Sequence, residues 1–272
     1  MDNSDDPVER AFEGGLSIDI SSVVAIGVAL ETDPDNVLLR ATLAGATLGI
    51  QMLGKDQHQD LVLSNLLWWI GHHPDSAIIS WPRRITPMRG APDANALLSK
   101  AWRRALAADP DNIRVLQNAA DFLGYEHSEQ AKELLLKACQ LAPDDPAPRE
   151  RLGDLLTTGR RHIMTPREWR EALEHYESAL SKREDDSPIQ LLLEKVCKAA
   201  LEVGELDRAR AVATQLLIRA KQDPEDWNTG NAVHDANQVL GRVALREGDV
   251  ESAKRHLLAA GRTSGSPQLD SF

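Results

Sequence analysis

One stretch of 34 residues, 112–145, constrains the fold more than any other part of the chain, because small and bulky residues recur in it at fixed spacings. Ala119 is followed three residues later by Phe122, and twelve residues after Ala119 comes a second small residue, Ala131. Residues three and four apart share one face of a helix, so the stretch predicts two short helices joined by a turn. The pattern continues at gaps of four, three and five residues with Leu135, Ala138 and Pro143.

Small residues at these positions allow the two predicted helices to approach each other closely. Ala119 on the first helix faces Ala131 and Ala138 on the second, while Phe122 and Leu135 fill the space beside the crossing. A single hairpin of this kind cannot bury its apolar face alone. We therefore expect about three or more hairpins to stack on one another.

The spacing in residues 112–145 resembles that of the tetratricopeptide repeat, a helix–turn–helix unit of 34 residues. The resemblance implies an all-α fold, a right-handed α-α superhelix of about five to seven helical hairpins. Residues 93–272 form the expected array, preceded in residues 1–92 by divergent helical repeats and a proline-rich basic loop at 72–92. The clearest repeats are expected at 112–145, 146–186, 187–224 and 228–267.

Several local signals predict where individual helices begin and turn. Thr165 is followed by a proline and then by Glu168, the combination of a cap, a first-turn proline and an acid that reaches back. Ser187, also followed by a proline, predicts a second start of this kind, and a helix over residues 18–32 is expected after Ser17. Turns are predicted at Gly204 and Gly248.

The charge of the chain limits the kinds of partner it can bind. A net charge of −11, from 42 acids and 31 bases, disfavours general affinity for DNA, RNA or anionic membranes. The acidic N-terminus is unlike a secretory signal, and the longest apolar stretch, residues 18–30, is too short to span a bilayer. The two cysteines, Cys139 and Cys197, are expected to be buried thiols of a cytoplasmic protein.

The resemblance also implies a binding groove. In tetratricopeptide arrays the first helix of each hairpin lines a concave face that commonly holds a peptide or helix of a partner protein. Positions three before and one after each first-helix small residue usually point there. The clamp of lysine, asparagine and arginine with which some family members grip a C-terminal carboxylate is absent from these positions. The groove candidates are Glu150, Asp154, Glu194, Lys198, Gln238 and Arg242, with Leu116 and Ala120 at an apolar end.

A second candidate surface lies in the proline-rich loop, where an aromatic residue stands beside several bases. Tryptophan and arginine are enriched at binding hot spots, so this group is the alternative contact site. Trp68 and Trp69 are about 100° apart on a helix, so only one of them is expected in the core. The loop candidates are Trp81, Arg83, Arg84 and Arg89.

The sequence predicts a non-catalytic scaffold without metal or other cofactor. Residues 49–55 match the first seven positions of a phosphate-binding loop, but Asp56 stands where serine or threonine should hold magnesium, and no strand precedes it. The adjacent His72 and His73 lack convergent zinc ligands. Two alternatives remain open. The first is a self-associating module such as a homodimer, because no solvating helix follows the last repeat. The second is an enzyme or regulatory domain that uses the loop from His72 to Arg89.

Overall fold

The computed structural model describes residues 6–52, 59–80, 91–124, 128–157, 163–183, 189–224, 226 and 228–263. Within these ranges the backbone forms α-helices, one short 3₁₀ helix and connecting turns, and none of these residues lies in a strand. The protein therefore has an all-α helical-repeat fold, which confirms the predicted fold class. The backbone contacts divide the chain into two compact units, Met1–Leu141 and Ala142–Phe272, and the start of the repeat array at residue 93 stays a prediction.

The first unit contains seven α-helices among its described residues. The first helix packs along the third, which also contacts the second and fourth, and the remaining helices pack in chain order. The 3₁₀ helix Ala77–Ile79 follows the fourth helix. The seven are α1 Pro7–Gly15, α2 Ile20–Thr32, α3 Val37–Met52, α4 Gln59–His72, α5 Pro92–Ala108, α6 Ile113–Leu123 and α7 Ser128–Leu141.

The second unit contains six α-helices among its described residues, arranged as three successive hairpins. Each helix packs on the next one in the chain, and the first helix of the middle hairpin also packs on the first helix of the last. The hairpins are α8 Pro146–Thr157 with α9 Pro166–Leu180, α10 Gln190–Val203 with α11 Leu206–Gln222, and α12 Thr229–Arg246 with α13 Val250–Ala260.

The hairpin predicted in residues 112–145 is present as α6 and α7. Its small residues Ala119, Ala131 and Ala138 are fully buried, and Phe122 and Leu135 are buried beside them. The spacing that predicted the hairpin is thus the spacing of its buried residues. Apolar area removed from water contributes roughly 25 cal/mol per Å², so this seam is a main source of the hairpin's stability.

Helix ends follow the predicted chemistry in some places and depart from it in others. The capping box at Thr165 is confirmed, with Glu168 Oε2 accepting from the Thr165 backbone N–H at 2.7 Å. Helix α10 begins at Gln190 with Ile189 at its cap position and no capping side-chain hydrogen bond, and the cap predicted at Ser187 lies outside the described residues. For α2 the capping side chain is Asp19 rather than Ser17. The turns at Gly204 and Gly248 are confirmed, with φ of 90° and 84°.

The tryptophan pair of α4 corrects the expectation that only one ring would be in the core. Trp69 is 1 % exposed and Trp68 is 9 % exposed, with their ring centroids 5.3 Å apart in an edge-to-face arrangement. Both indoles reach α3 or the turn before it, because Trp69 Nε1 donates to the Arg40 carbonyl at 3.4 Å and Trp68 Nε1 donates to Asp35 Oδ1 at 2.9 Å. The polar end of each ring therefore has a partner, which lets both rings be buried.

Two of the turns between hairpins contain the same contact, in which a basic side chain donates to a proline carbonyl. Lys137 Nζ, from α7, donates to the Pro110 carbonyl at 2.7 Å. Lys182, just after α9, donates in the same way to the carbonyl of Pro143. In both cases the lysine belongs to the hairpin that follows the turn, and it lies in or just after the second helix of that hairpin. The contact therefore fixes each turn to the hairpin that follows it.

Gly153 marks the closest approach of α8 to α9. A Cβ atom at this position would lie 2.3 Å from Cε1 of Tyr176, a ring that is 1 % exposed. The Tyr176 hydroxyl donates to Asp154 Oδ1 at 3.0 Å and lies 2.9 Å from Thr157 Oγ1, so the ring is held at its tip as well as along its face. The tyrosine therefore cannot move aside to accept a larger residue at 153.

We predict that Gly153→Ala destabilises the protein by about 1–3 kcal/mol, the usual cost of overpacking a buried contact. Gly241→Ala is the matched control on α12, because its Cβ would meet His256 Cβ at an ordinary 3.4 Å. The control should be neutral or slightly stabilising, since alanine is the better helix former. Urea unfolding of the three proteins measures the difference; equal midpoints for the two variants would contradict the role given to Gly153.

Candidate functional site

The second unit contains an open cleft of about 310 Å³. The first helices α8, α10 and α12 contribute most of its lining, and α9 contributes two aromatic rings. Its surface is mixed, with charged, amide, hydroxyl, aliphatic and aromatic groups. The lining residues are Thr157, Trp169, Tyr176, Lys195, Lys198, Glu202, Asp235, Gln238, Val239 and Arg242.

The polar residues of α10 and α12 are arranged in matching rows. Lys198 pairs with Asp235, and Arg242 Nη1 pairs with Glu202 Oε1 at 2.7 Å. The partner numbers rise together along the two helices, so α10 and α12 run parallel, with opposite charges facing each other across their seam. In each row gaps of three and four residues place all members on one helix face; the rows are Lys195, Lys198 and Glu202, and Asp235, Gln238 and Arg242.

Lys195 joins α10 to two carboxylates of α8. Its Nζ lies 2.7 Å from Glu150 Oε1 and 2.8 Å from Asp154 Oδ2. Glu150 also accepts from Arg183 Nη2 at 2.6 Å. The side chains of these four residues are between 14 % and 21 % exposed, so the cluster is largely withdrawn from water.

Burial and the neighbouring charges act in opposite directions on this cluster. At Glu150 burial opposes ionisation, but Lys195 and Arg183 outweigh it and lower the pKa of the carboxyl. At Asp154 burial outweighs Lys195, so the pKa of that carboxyl is raised. Burial alone would lower the pKa of Lys195, but Asp154 and Glu150 outweigh it and raise that pKa. The lysine therefore stays charged and fixes α8 to α10.

Glu194 precedes Lys195 but occupies a different environment. It is 8 % exposed, does not line the cleft, and accepts a hydrogen bond from Asn228 Nδ2 at 3.1 Å. Burial, followed by repulsion from Asp235, raises the pKa of Glu194 to about 7, although Lys198 acts in the opposite direction. This carboxyl therefore changes its charge near neutral pH beneath the cleft.

The arrangement suits binding of a polar ligand surface better than covalent chemistry. Arg242 is about half exposed, and only its Nη1 takes part in the ion pair with Glu202, which leaves further donors facing the cleft. Burial raises the pKa of the nearby Cys197 thiol to about 12, so this sulfur is a poor nucleophile. Among the described residues, no three His, Cys, Asp or Glu side chains are grouped closely enough to hold a metal ion.

The structure distributes the groove candidates over three locations. Lys198, Gln238 and Arg242 line the cleft itself. Glu150 and Asp154 lie at its α8 side and are bound to Lys195, while Glu194 lies beneath it. In the first unit, Leu116 and Ala120 are each 1 % exposed, so the expectation that they form an apolar part of a groove is wrong. Both face the interior of the first unit instead.

The rule taken from the family missed seven cleft residues, of which three are charged: Lys195, Glu202 and Asp235. The helix period would have found these three charged residues, since each lies three or four residues from a candidate that was named. The second candidate surface, Trp81, Arg83, Arg84 and Arg89, lies in residues 81–90, outside the residues that the structure describes. That surface stays a prediction from the sequence.

The comparison with family models identifies one segment of the chain. Residues 167–229, which extend from α9 through α10 and α11, match the model described as a tetratricopeptide repeat. This segment therefore has the sequence character of a tetratricopeptide repeat, the repeat type that the spacing in residues 112–145 resembles. No curated protein sequence matches it. Within the described residues, no helix combines the length and the apolar character needed to cross a bilayer.

Several solved structures resemble the chain at low sequence identity. The crystal structure of MamA is 18 % identical with a TM-score of 0.48, and the match covers 62 % of this chain and 88 % of MamA. The pilF protein of Pseudomonas aeruginosa is 17 % identical with a TM-score of 0.47, covering 94 % and 93 %. A tetratricopeptide repeat protein from Parabacteroides merdae is 14 % identical with a TM-score of 0.38, covering 96 % and 95 %. These similarities are too distant to transfer a function.

We predict that Glu194→Gln changes how stability depends on pH. The pKa of Glu194 is about 7 in the folded chain against an ordinary glutamate value of 4.5, so the folded state holds the extra proton and wild-type stability falls as pH rises through this window. The glutamine variant lacks that loss and should gain about 2–3 kcal/mol relative to wild type between pH 5 and pH 8. Urea unfolding across this range measures the gain.

The matched control is Glu174→Gln, which removes an exposed carboxylate from α9. Its stability difference from wild type should be the same at pH 5 and pH 8. If the Glu194→Gln difference were equally flat, the buried carboxyl would already be ionised throughout the range, contrary to the environment described for it.

Proposed function

We propose that this protein is a non-catalytic cytoplasmic scaffold whose second unit binds a segment of a partner protein in the cleft between α8, α10 and α12. The observation that carries the proposal is the composition of the cleft, in which fixed ion pairs and accessible donors surround two aromatic rings. Such a surface can bond to a peptide backbone and its side chains without requiring a reaction.

Preorganisation also supports binding in this cleft. Lys195 has two carboxylate partners, Lys198 has Asp235 and Arg242 has Glu202, so the cationic side chains are already held in position before a partner arrives. Side chains that are already ordered lose less conformational entropy when a partner binds. The opposite charges in the same cleft favour a partner segment that itself carries both acidic and basic groups, because complementary charge gives specificity.

We predict that exchanging one cleft ion pair, by Glu202→Arg with Arg242→Glu, reduces partner binding by about tenfold or more. The exchange preserves the ion pair and the net charge of the chain but reverses the polarity presented to the partner. Partners captured from a lysate of the native host would be identified by mass spectrometry. A synthetic peptide of the captured segment would then be titrated into wild type and variant by calorimetry.

The matched control is the exchange Arg210→Glu with Glu247→Arg, which reverses an ion pair between α11 and the end of α12 outside the cleft lining. The control should bind the peptide as wild type does. Equal affinity of wild type and both exchanges would refute the cleft as the binding site and would direct attention to the loop that contains Trp81.

Self-association is the second candidate function, and the last hairpin is the observation that favours it. Leu257 is 71 % exposed, Leu258 58 % and Leu245 62 %, while Ala260 is the buried residue of α13. An apolar surface of this kind is typical of an interface. A second copy of the chain is the occupant proposed here, because a two-fold contact would cover the same leucines on both copies at once.

If the last hairpin is a dimer contact, the wild-type mass from light scattering will double as concentration rises. Leu257→Glu with Leu258→Glu should keep the chain monomeric, because the interface would have to bury two charges per copy. Ile163→Glu, which places the same charge at a residue that is 61 % exposed outside α13, is the control and should still dimerise. A wild-type mass that stays monomeric at every concentration would remove this function.

A further inference from the structure

A second cleft, of about 380 Å³, lies in the first unit between α2, α3 and α4. Val24, Val28 and Leu61 form apolar walls, and Val24 and Val28 are 48 % and 58 % exposed. Beneath them lies a small buried core to which Leu61 also contributes. The lining also contains two charged residues, Glu31 and Arg40.

Arg40 is unusual because it is a buried cation without an ion pair. The residue is 8 % exposed, its Nε donates to the Pro34 carbonyl at 3.0 Å, and its Nη1 donates to Asn65 Oδ1 at a long 3.4 Å. The guanidinium lies 5.1 Å from the centroid of the Trp68 ring. Among the described residues, no carboxylate lies within 4.0 Å of its nitrogens and Nη2 has no hydrogen-bond partner.

Neither acid near Arg40 forms an ion pair with it. Asp35 is close enough to favour the charged guanidinium but does not reach ion-pair distance, and its Oδ1 accepts from Trp68 Nε1 at 2.9 Å. Burial, the larger effect, lowers the pKa of Arg40. Glu31 lines the cleft but is exposed to water. A buried charge is normally paired because its desolvation is costly, so this cation has free energy to gain from an anion.

We propose that the cleft between α2, α3 and α4 binds a small aliphatic carboxylate, with the carboxylate on Arg40 and the alkyl chain against Val24, Val28 and Leu61. One unpaired cation calls for one negative charge, and guanidinium nitrogens match the two oxygens of a carboxylate. The apolar walls call for a hydrocarbon chain rather than a polar one. The cleft volume lies within the roughly 300–1,000 Å³ of small-molecule sites.

Calorimetry on the full chain tests the proposal with three probes of equal chain length. Octanoate is negatively charged, 1-octanol is neutral and octylammonium is positively charged. Octanoate should bind about tenfold or more tightly than octanol, since a charge-assisted hydrogen bond to a buried guanidinium is worth a tenfold factor or more. Octylammonium should bind least. Equal affinities for octanoate and octanol would overturn the assignment of Arg40, and absence of octanoate binding would overturn the site.

Charge substitutions at an exposed wall residue test the location without disturbing the core. Val28→Glu should weaken octanoate binding by about tenfold and Val28→Lys should weaken it less or strengthen it, because the new charge would lie in the same small cleft as the bound carboxylate and repel or attract it. Ile218→Glu, at a β-branched residue of α11 that is 53 % exposed, is the matched control and should bind octanoate as wild type does. If the glutamate and lysine variants at residue 28 bound octanoate with equal affinity, the assignment of the ligand to this cleft would be overturned.

A direct test of the cation uses Arg40→Lys and Arg40→Met, with helicity checked by circular dichroism. Lysine should retain part of the preference for octanoate over octanol, and methionine should abolish it. If a peptide ending in an apolar residue with a free carboxylate binds here and octanoate does not, the proposal of a small-molecule ligand is overturned. None of these outcomes depends on the cleft of the second unit.

Discussion

Close approach of paired helices at small residues is the constraint on which the rest of this structure depends. Gly153 against Tyr176 shows it most clearly, since even one methyl group on the glycine would overlap the ring. The same principle places fully buried alanines along α6 and α7, among them Ala119 and Ala138. Because the hairpins pack this tightly, the polar face of α8, α10 and α12 is held at a fixed spacing. The cleft is a consequence of that packing.

The two clefts differ in whether the charge of their buried cation is paired with a carboxylate. In the second unit Lys195 is held by Glu150 and Asp154, so its charge is compensated within the protein. In the first unit the Arg40 guanidinium donates to a carbonyl and an amide oxygen and lies over an aromatic ring, with no carboxylate at ion-pair distance among the described residues. A compensated cation fixes one helix against another, whereas an uncompensated one retains affinity for an anion. Buried basic residues of one chain can therefore have different roles.

Much of the fold could be predicted from the sequence because helix formation and capping depend on neighbouring residues. The capping box at Thr165 and the glycine turns at 204 and 248 were read correctly for this reason. Ser17 failed as the cap of α2, since that helix begins at Ile20 and the side chain of Asp19 caps it instead. The site was less predictable: the family rule selected Glu194, yet the next residue, Lys195, lines the cleft, and one residue turns a helix by about 100°.

The sequence by itself determined the helical-repeat class, since the periodic small residues act within one hairpin of 34 residues. Only the tertiary structure decided which charges meet. Lys195 and Glu150 are 45 residues apart, and Lys198 and Asp235 are 37 apart, so no local pattern specifies either pair. The same holds for Trp68, whose burial depends on an acceptor 33 residues earlier. Partner choice between distant polar groups is settled by how the hairpins stack, because stacking alone brings their side chains within hydrogen-bond distance.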